Sequence, residues 1–156
     1  METSGIIKII SGGQTGTDRA ALDYALAYGI PCGGFCPKGR LAEDGRIPEK
    51  YPLKECESTE YAVRTVLNVE HAEGTLLFFS RSCPDQGTEL TRREVLRQKK
   101  PLYELEIDLQ RSNPQKPFNQ WLSEHNILLL NVAGPRESNC PGIYKRVTNW
   151  LETNLI

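Results

Sequence analysis

The chain has 156 residues, 38% hydrophobic and 25% charged, with a formal net charge of -1. A chain of this length fits a single domain, 1–156, and buries close to ~70% of its unfolded surface, enough to fold without a metal or disulfide staple. The charge balance speaks against a general nucleic-acid binder, whose surface is usually strongly basic. No run approaches the ~18 apolar residues of a membrane span. The apolar stretch 6–10 is too short for a signal-peptide core, so a cytoplasmic protein is expected. Cys32, Cys36, Cys56, Cys83 and Cys140 are odd in number and lack a secretory signal, which reads as free thiols. His71 and His125 stand at no ligand spacing to them, so no metal site is assigned.

In chain order, 5–10 reads as a short buried strand. A helix follows over 17–28, with Ala21, Tyr24, Ala25 and Tyr28 on one face and Gly29 as its stop. A second strand is predicted over 30–35. The stretch 36–55 carries glycine, proline and charges without periodicity, and so reads as a long functional loop. Ser58 is the predicted cap of a helix with Ala62, Val66 and Val69 on its apolar side. A strand over 75–79, a helix over 88–100 and an alternating strand over 102–107 come next. Phe118, Trp121, Leu122 and His125 form a helical stripe. A last strand over 127–132 precedes a helix marked by Ile143, Val147, Trp150 and Leu151, with Pro141 near its start. Such alternation implies a mostly parallel sheet of about five or more strands, layered α/β/α. Ligands then sit at the carboxyl ends of the strands.

Four glycine-containing segments follow strands, and their convergence on one crevice is expected. The first is Ser11-Gly12-Gly13-Gln14-Thr15-Gly16-Thr17-Asp18-Arg19. Its glycines allow close backbone approach, and helix-start N–H groups favour a phosphate. It matches neither the P-loop nor the G-x-G-x-x-G fingerprint. Pure capping by Thr15 and Asp18 is the plainer alternative. The second segment offers Lys38 and Arg40 as phosphate clamps and Glu43 and Asp44 as acceptors. The third offers Ser80, Gly87 and Thr88; the fourth offers Gly134 and Arg136, with Ser138 or Asn139 available for capping. Neither histidine pairs with a nucleophile in any recognisable pattern, so no catalytic residue is assigned. Phe35, Phe79 and Tyr144 are candidates for an aromatic slot.

The stretches SGGQTGTDRAALDYAL, GGFCPKGRLAEDGRIPEKYPLKE and NVAGPRESNCPGIY resemble the proteins known as "putative molybdenum cofactor carriers". The resemblance covers nearly the whole chain. It implies a Rossmann-like fold, kinship with lysine-decarboxylase-like phosphoribohydrolases and nucleotide-sensing domains, and assembly into a homo-oligomer. It also implies molybdenum cofactor (molybdopterin) as ligand, with molybdoenzymes as partners. Contacts carried over by motif are Gly12 to Asp18, Lys38, Arg40, Gly87, Thr88 and Arg136. The hydrolase relatives carry P-G-G-x-G-T-x-x-E. Here Gly87-Thr88 matches its centre, but Asp85 replaces the second glycine and Thr91 the glutamate. The expectation is therefore a non-catalytic protein that carries or stores a phosphate-bearing pterin or nucleotide. A nucleotide-processing hydrolase and a nucleotide-sensing module are the alternatives.

Overall fold

The computed structural model describes residues 5–109 and 117–155. In chain order the elements are β1 (Lys8–Ile10), α1 (Thr17–Ala27), β2 (Cys32–Gly33), β3 (Phe35–Cys36), β4 (Leu41–Ala42), β5 (Gly45–Arg46), β6 (Lys54–Glu55), α2 (Tyr61–His71), β7 (Gly74–Phe79), α3 (Gln86–Arg97), β8 (Leu102–Glu106), a short 3-10 turn (Ile107–Leu109), α4 (Phe118–Glu124), β9 (Leu129–Ala133) and α5 (Ile143–Asn154). Five strands form one parallel sheet in the order β2-β1-β9-β7-β8. Helices cover both faces, giving the expected three-layer α/β/α, Rossmann-like architecture.

The order has a simple internal logic. If the last strand–helix unit, β9–α5, came first in the chain, the sheet would read 3-2-1-4-5, the order of dinucleotide-binding Rossmann sheets. The chain thus has that architecture with its first unit moved to the end. Because β9 lies between β1 and β7, the segments leaving all three strands emerge side by side at one sheet edge.

Period-2 alternation sorts the strand residues between the layers. Ile9, Leu76, Phe78, Tyr103, Leu105, Leu130 and Val132 join Ala21, Tyr24, Trp121, Ile143, Val147 and Leu151 in the main core. Tyr103, Phe118, Trp121 and Trp150 form an aromatic nest in it, with Phe118 meeting Trp150 edge-on at 5.2 Å. On the other face Asn131 donates to Thr75 Oγ1 at 3.2 Å within buried surroundings. A second, smaller core of Leu22, Cys36, Ala42, Ile47, Tyr51 and Leu53 lies under the 36–55 stretch.

Several boundaries differ from the sequence reading. The expected 30–35 strand is cut at Gly34, whose φ of 133° takes the chain out of the sheet. Its two halves pair separately: β2 joins β1, while β3 pairs with β6. The 36–55 stretch is not structureless, since it contains β6 and the β4–β5 hairpin. Its centre is Arg40, whose guanidinium donates to the carbonyls of Ile47, Leu53, Pro48 and Tyr51 at 3.0, 3.2, 2.7 and 2.9 Å. Ser58 does not cap α2 directly; its Oγ accepts from the N–H of Glu60, which is the cap residue. Helix α3 starts two residues early because Asp85 accepts from Thr88 N at 2.8 Å. Pro141 stands ahead of the α5 cap residue, Gly142, rather than inside the first turn. Neither Ser138 nor Asn139 caps that helix: the Glu137 carboxylate does, accepting from Gly142 N at 2.7 Å and Tyr144 N at 3.0 Å.

Candidate functional site

A cavity of about 490 Å³ opens at the carboxyl ends of β1, β7 and β9. Four elements supply its walls: the β1–α1 segment through Gln14 and Asp18, α2 through Tyr61, Arg64 and Thr65, α3 through Gly87, Leu90 and Thr91, and the β9–α5 segment through Gly134 and Arg136. The first, third and fourth glycine-containing segments therefore meet, as their positions after strands required. A second hollow of about 550 Å³, lined by Ser80 and Thr88, adjoins it across Pro84, Asp85 and Gln86.

The first segment does not work as a bare anion cradle. Its N–H groups are largely engaged within the chain. Gly13 N donates to Ser11 Oγ, Gln14 N to Asp18 Oδ2, Thr15 N to Gln14 Oε1, and Thr17 N to the Pro135 carbonyl. The Thr15–Asp18 capping box is absent as well: Gly16 is the cap residue and makes no side-chain bond. The turn instead holds two side chains against the cavity. Gln14 Oε1 is taken by Thr15 N and Glu43 N, at 3.0 and 2.9 Å. That orientation leaves the Gln14 amide N–H groups available. Asp18 is buried, and its Oδ2 accepts from Arg64 Nη1 at 2.9 Å. Burial raises the Asp18 carboxyl above its ordinary value, against the opposing pull of Arg64.

Arg64 and Arg136 are the cavity's two cations. Arg64 lies directly over Gly12: a Cβ there would stand 1.6 Å from Arg64 Nη1. Its guanidinium also sits 5.7 Å from the Tyr61 ring centroid. Arg136 Nε is 3.5 Å from Glu43 Oε1, and Glu43 in turn bonds Thr15 and Ser138. The Nε atoms of both arginines are buried without a hydrogen-bond partner among the described residues. Unpaired buried donors are uncommon in folded proteins and mark places where a ligand or water completes the bonding.

The remaining sequence candidates lie elsewhere. Gly13 (φ 82°) faces the small core, where a Cβ would meet Leu53 at 2.4 Å. Gly16 backs onto the 135–137 main chain, and Thr17 Oγ1 donates to the Pro135 carbonyl at 3.0 Å. Thr15 is tied to Glu43 and Glu137 N. Lys38 is exposed and borders neither hollow. Arg40, expected as a phosphate clamp, is 5% exposed with its fork filled by carbonyls. Among the aromatic candidates, Phe35 packs on His71, Phe79 lies beneath Arg92, and Tyr144 donates to Asp23. Sequence reasoning passed over Tyr61, Arg64, Thr65, Leu90 and Thr91. The available signal was their spacing, i, i+3 and i+4 on two successive helices.

Among the described residues no cysteine, serine or histidine lines the cavity. Cys140 belongs to the main core, where burial pushes its thiol up to about 12, while Cys83 packs against that core and lines the second hollow. Among the described residues no group of three or more His, Cys, Asp or Glu side chains is placed to hold a metal ion. No described helix is long and apolar enough to cross a membrane.

The fold and this edge cavity define a Rossmann-like protein whose first strand–helix unit has moved to the C-terminus. Residues 9–155 match the Circularly permutated YpsA SLOG family, and the chain belongs to it. A crystal structure of a protein from Syntrophus aciditrophicus SB, named "Putative molybdenum carrier protein", is similar over 99% of this chain and 98% of that one, with 42% identity and a TM-score of 0.90. The resemblance read from the sequence motifs is borne out by both. No protein of curated function matches the chain.

Proposed function

We propose that the protein binds a phosphate-bearing pterin or nucleotide in the 490 Å³ cavity and acts as its carrier or store, with molybdenum cofactor as the first candidate. The observation that carries this reading is the pair of cavity arginines, Arg64 and Arg136, whose buried Nε atoms lack hydrogen-bond partners among the described residues. A guanidinium suits phosphate through its fork of donors. The Gln14 amide supplies a third donor, and the cavity volume falls in the range of ~300–1,000 Å³ typical of small-molecule sites. The phosphate is held by these side chains rather than by the backbone of the first segment. Of the contacts read from the sequence, Gln14, Asp18, Gly87, Gly134 and Arg136 stand in the site. Gly12 supports it by accommodating Arg64.

The carrier role draws on the name of the Syntrophus relative. In that role molybdenum is cargo, held by the pterin's own sulfurs, while the chain grips the pterin and phosphate. Delivery to molybdoenzymes and assembly as a homo-oligomer complete the proposal. Binding without turnover is supported at Thr91: a hydroxyl stands at the glutamate position of the hydrolase motif, and it donates to the Gly87 carbonyl at 3.0 Å.

The test is native mass spectrometry of freshly purified protein with elemental analysis for molybdenum, followed by titration with GMP, neopterin monophosphate and ribose 5-phosphate. A pterin phosphate or nucleotide is expected to copurify or bind, and Arg136→Ala should weaken it by tenfold or more, the loss of one charge-assisted bond of ~1.5–3 kcal/mol. Release of free base from nucleoside monophosphates would replace the carrier reading with a hydrolase. A folded protein that binds none of the three phosphates would end the proposal.

A further inference from the structure

The cavity wall between α2 and α3 has a repeated design. Helix α2 contributes positions 61, 64 and 65, and α3 contributes 87, 90 and 91, the same i, i+3, i+4 spacing from adjacent helices. Such residues share one helix face. The first turn of α2 carries a large exposed ring, Tyr61, while the first turn of α3 carries Gly87. A Cβ on Gly87 would crowd Asp85 Oδ1, at 3.2 Å, and meet no other atom within 4 Å beyond its own turn, so the glycine keeps that part of the wall low. Leu90 adds a half-buried apolar surface.

The two threonines of this wall are turned away from a polar role. Thr65 Oγ1 donates to the Tyr61 carbonyl at 3.2 Å, and Thr91 Oγ1 donates to the Gly87 carbonyl at 3.0 Å. Each hydroxyl hydrogen is thus spent four residues back on its own helix. What remains for a ligand is methyl surface, an aliphatic side chain, a glycine and an aromatic ring. The Arg64 guanidinium lies 5.7 Å from the Tyr61 ring centroid, so the ring stands beside a cation that reaches the same cavity, and Arg136 enters from the β9–α5 segment.

Resting on the reading above, we infer that this gap is a ring subsite: it takes a flat fused heterocycle, purine or pterin, against Tyr61 in the space that Gly87 leaves. The ring stacks on the Tyr61 side and contacts Leu90, while the phosphate lies toward Arg136. Tyr61 is then the residue that distinguishes a heterocyclic phosphate from a plain sugar phosphate. Gly87 is the residue that admits it. Stacking on an aromatic side chain tolerates different ring systems, because each has a π face.

The experiment is calorimetric titration of the intact chain with GMP, neopterin monophosphate and ribose 5-phosphate, comparing the parent with Tyr61→Ala, Tyr61→Phe and Gly87→Val. In the parent at least one ring phosphate should bind more tightly than ribose 5-phosphate. Tyr61→Ala should weaken the ring phosphate by tenfold or more and leave ribose 5-phosphate within twofold. Tyr61→Phe should retain the parent affinity, because the ring and not the hydroxyl does the binding. Gly87→Val should exclude the ring phosphate, with the melting curve reporting that α3 is intact. Equal affinity of the parent for ring and sugar phosphates, or equal weakening of both by Tyr61→Ala, overturns the subsite and leaves the phosphate site standing. Binding of none of the three by the parent overturns both.

Discussion

Replacing Arg40 by alanine separates two roles that the sequence alone could not separate. A phosphate clamp would lose affinity and keep its stability; a buried staple would do the reverse. The structure assigns the staple, because four main-chain carbonyls accept from the guanidinium and the residue is 5% exposed. Four charge-assisted bonds at ~1.5–3 kcal/mol would sum to ~6–12 kcal/mol. Loss of the side chain admits water to the surrounding carbonyls, which recovers part of this. A cost of ~3–5 kcal/mol, as for breaking a buried charged pair, is the expected outcome. For a chain of this length each kcal/mol lowers Tm by ~2–4 °C, so Arg40→Ala should melt ~6–20 °C early. Thermal circular dichroism reads this directly, and hydrogen exchange should localise the loosening to 36–55. GMP affinity at low temperature, where the variant is folded, should be unchanged. An unaltered Tm together with weaker phosphate binding would refute the assignment and restore the clamp.

Other expectations follow from the same geometry. Gly12→Ala places a methyl on Arg64 and should expel it from its pair with Asp18, weakening phosphate ligands by tenfold or more in a folded protein. Gly13→Ala, by contrast, combines a φ of 82° with a clash against Leu53. It should cost ~1–3 kcal/mol of stability in urea titrations, mainly as backbone strain. The pairs that hold the Asp44 carboxyl (with Arg19) and the Glu94 carboxyl (with Arg97) below their ordinary values contribute stability at neutral pH. That contribution should be lost as pH falls below ~4 through the folded values. Asp18 has the opposite sign: its carboxyl is raised, so its contribution declines as pH rises above ~4. The stability of Asp18→Asn relative to the parent should therefore improve across that window in urea titrations at stepped pH. Glu137→Ala removes the carboxylate from the start of α5 and should cost ~0.5–2 kcal/mol in the same assay.

The Glu137 cap also explains a difference from the unpermuted architecture. With β9 taken as the first strand, the β9–α5 turn occupies the place where dinucleotide-binding sheets hold their pyrophosphate on a helix N-terminus. Here a carboxylate of the chain itself already accepts from those N–H groups. On the proposed reading, phosphate recognition falls instead to the arginine side chains of α2 and of the β9–α5 segment.

Strand and helix alternation, and with it the three-layer fold, was legible in the sequence because local periodicity and β-branched runs act over a few residues. The same is true of the glycine-containing segments after β1, β7 and β9: a parallel sheet brings its carboxyl ends to one edge whatever the strand order. The motifs likewise sufficed to recognise the family. Three things needed the folded chain. The position of β9 between β1 and β7 depends on pairings between segments far apart in the chain, Lys8 with Leu129 and Gly74 with Leu130, which no local signal encodes. The fate of each polar group depended on which partner the fold brought to it: Arg40 found carbonyls of its own loop, and the N–H groups of Gly13, Gln14, Thr15 and Thr17 found Ser11, Asp18, Gln14 and Pro135. Tyr61, Gly87 and Leu90 line one cavity only because α2 and α3 pack side by side in the folded chain. A tyrosine at a helix start carries no signal by itself, and only the folded chain sets it on the same cavity as α3.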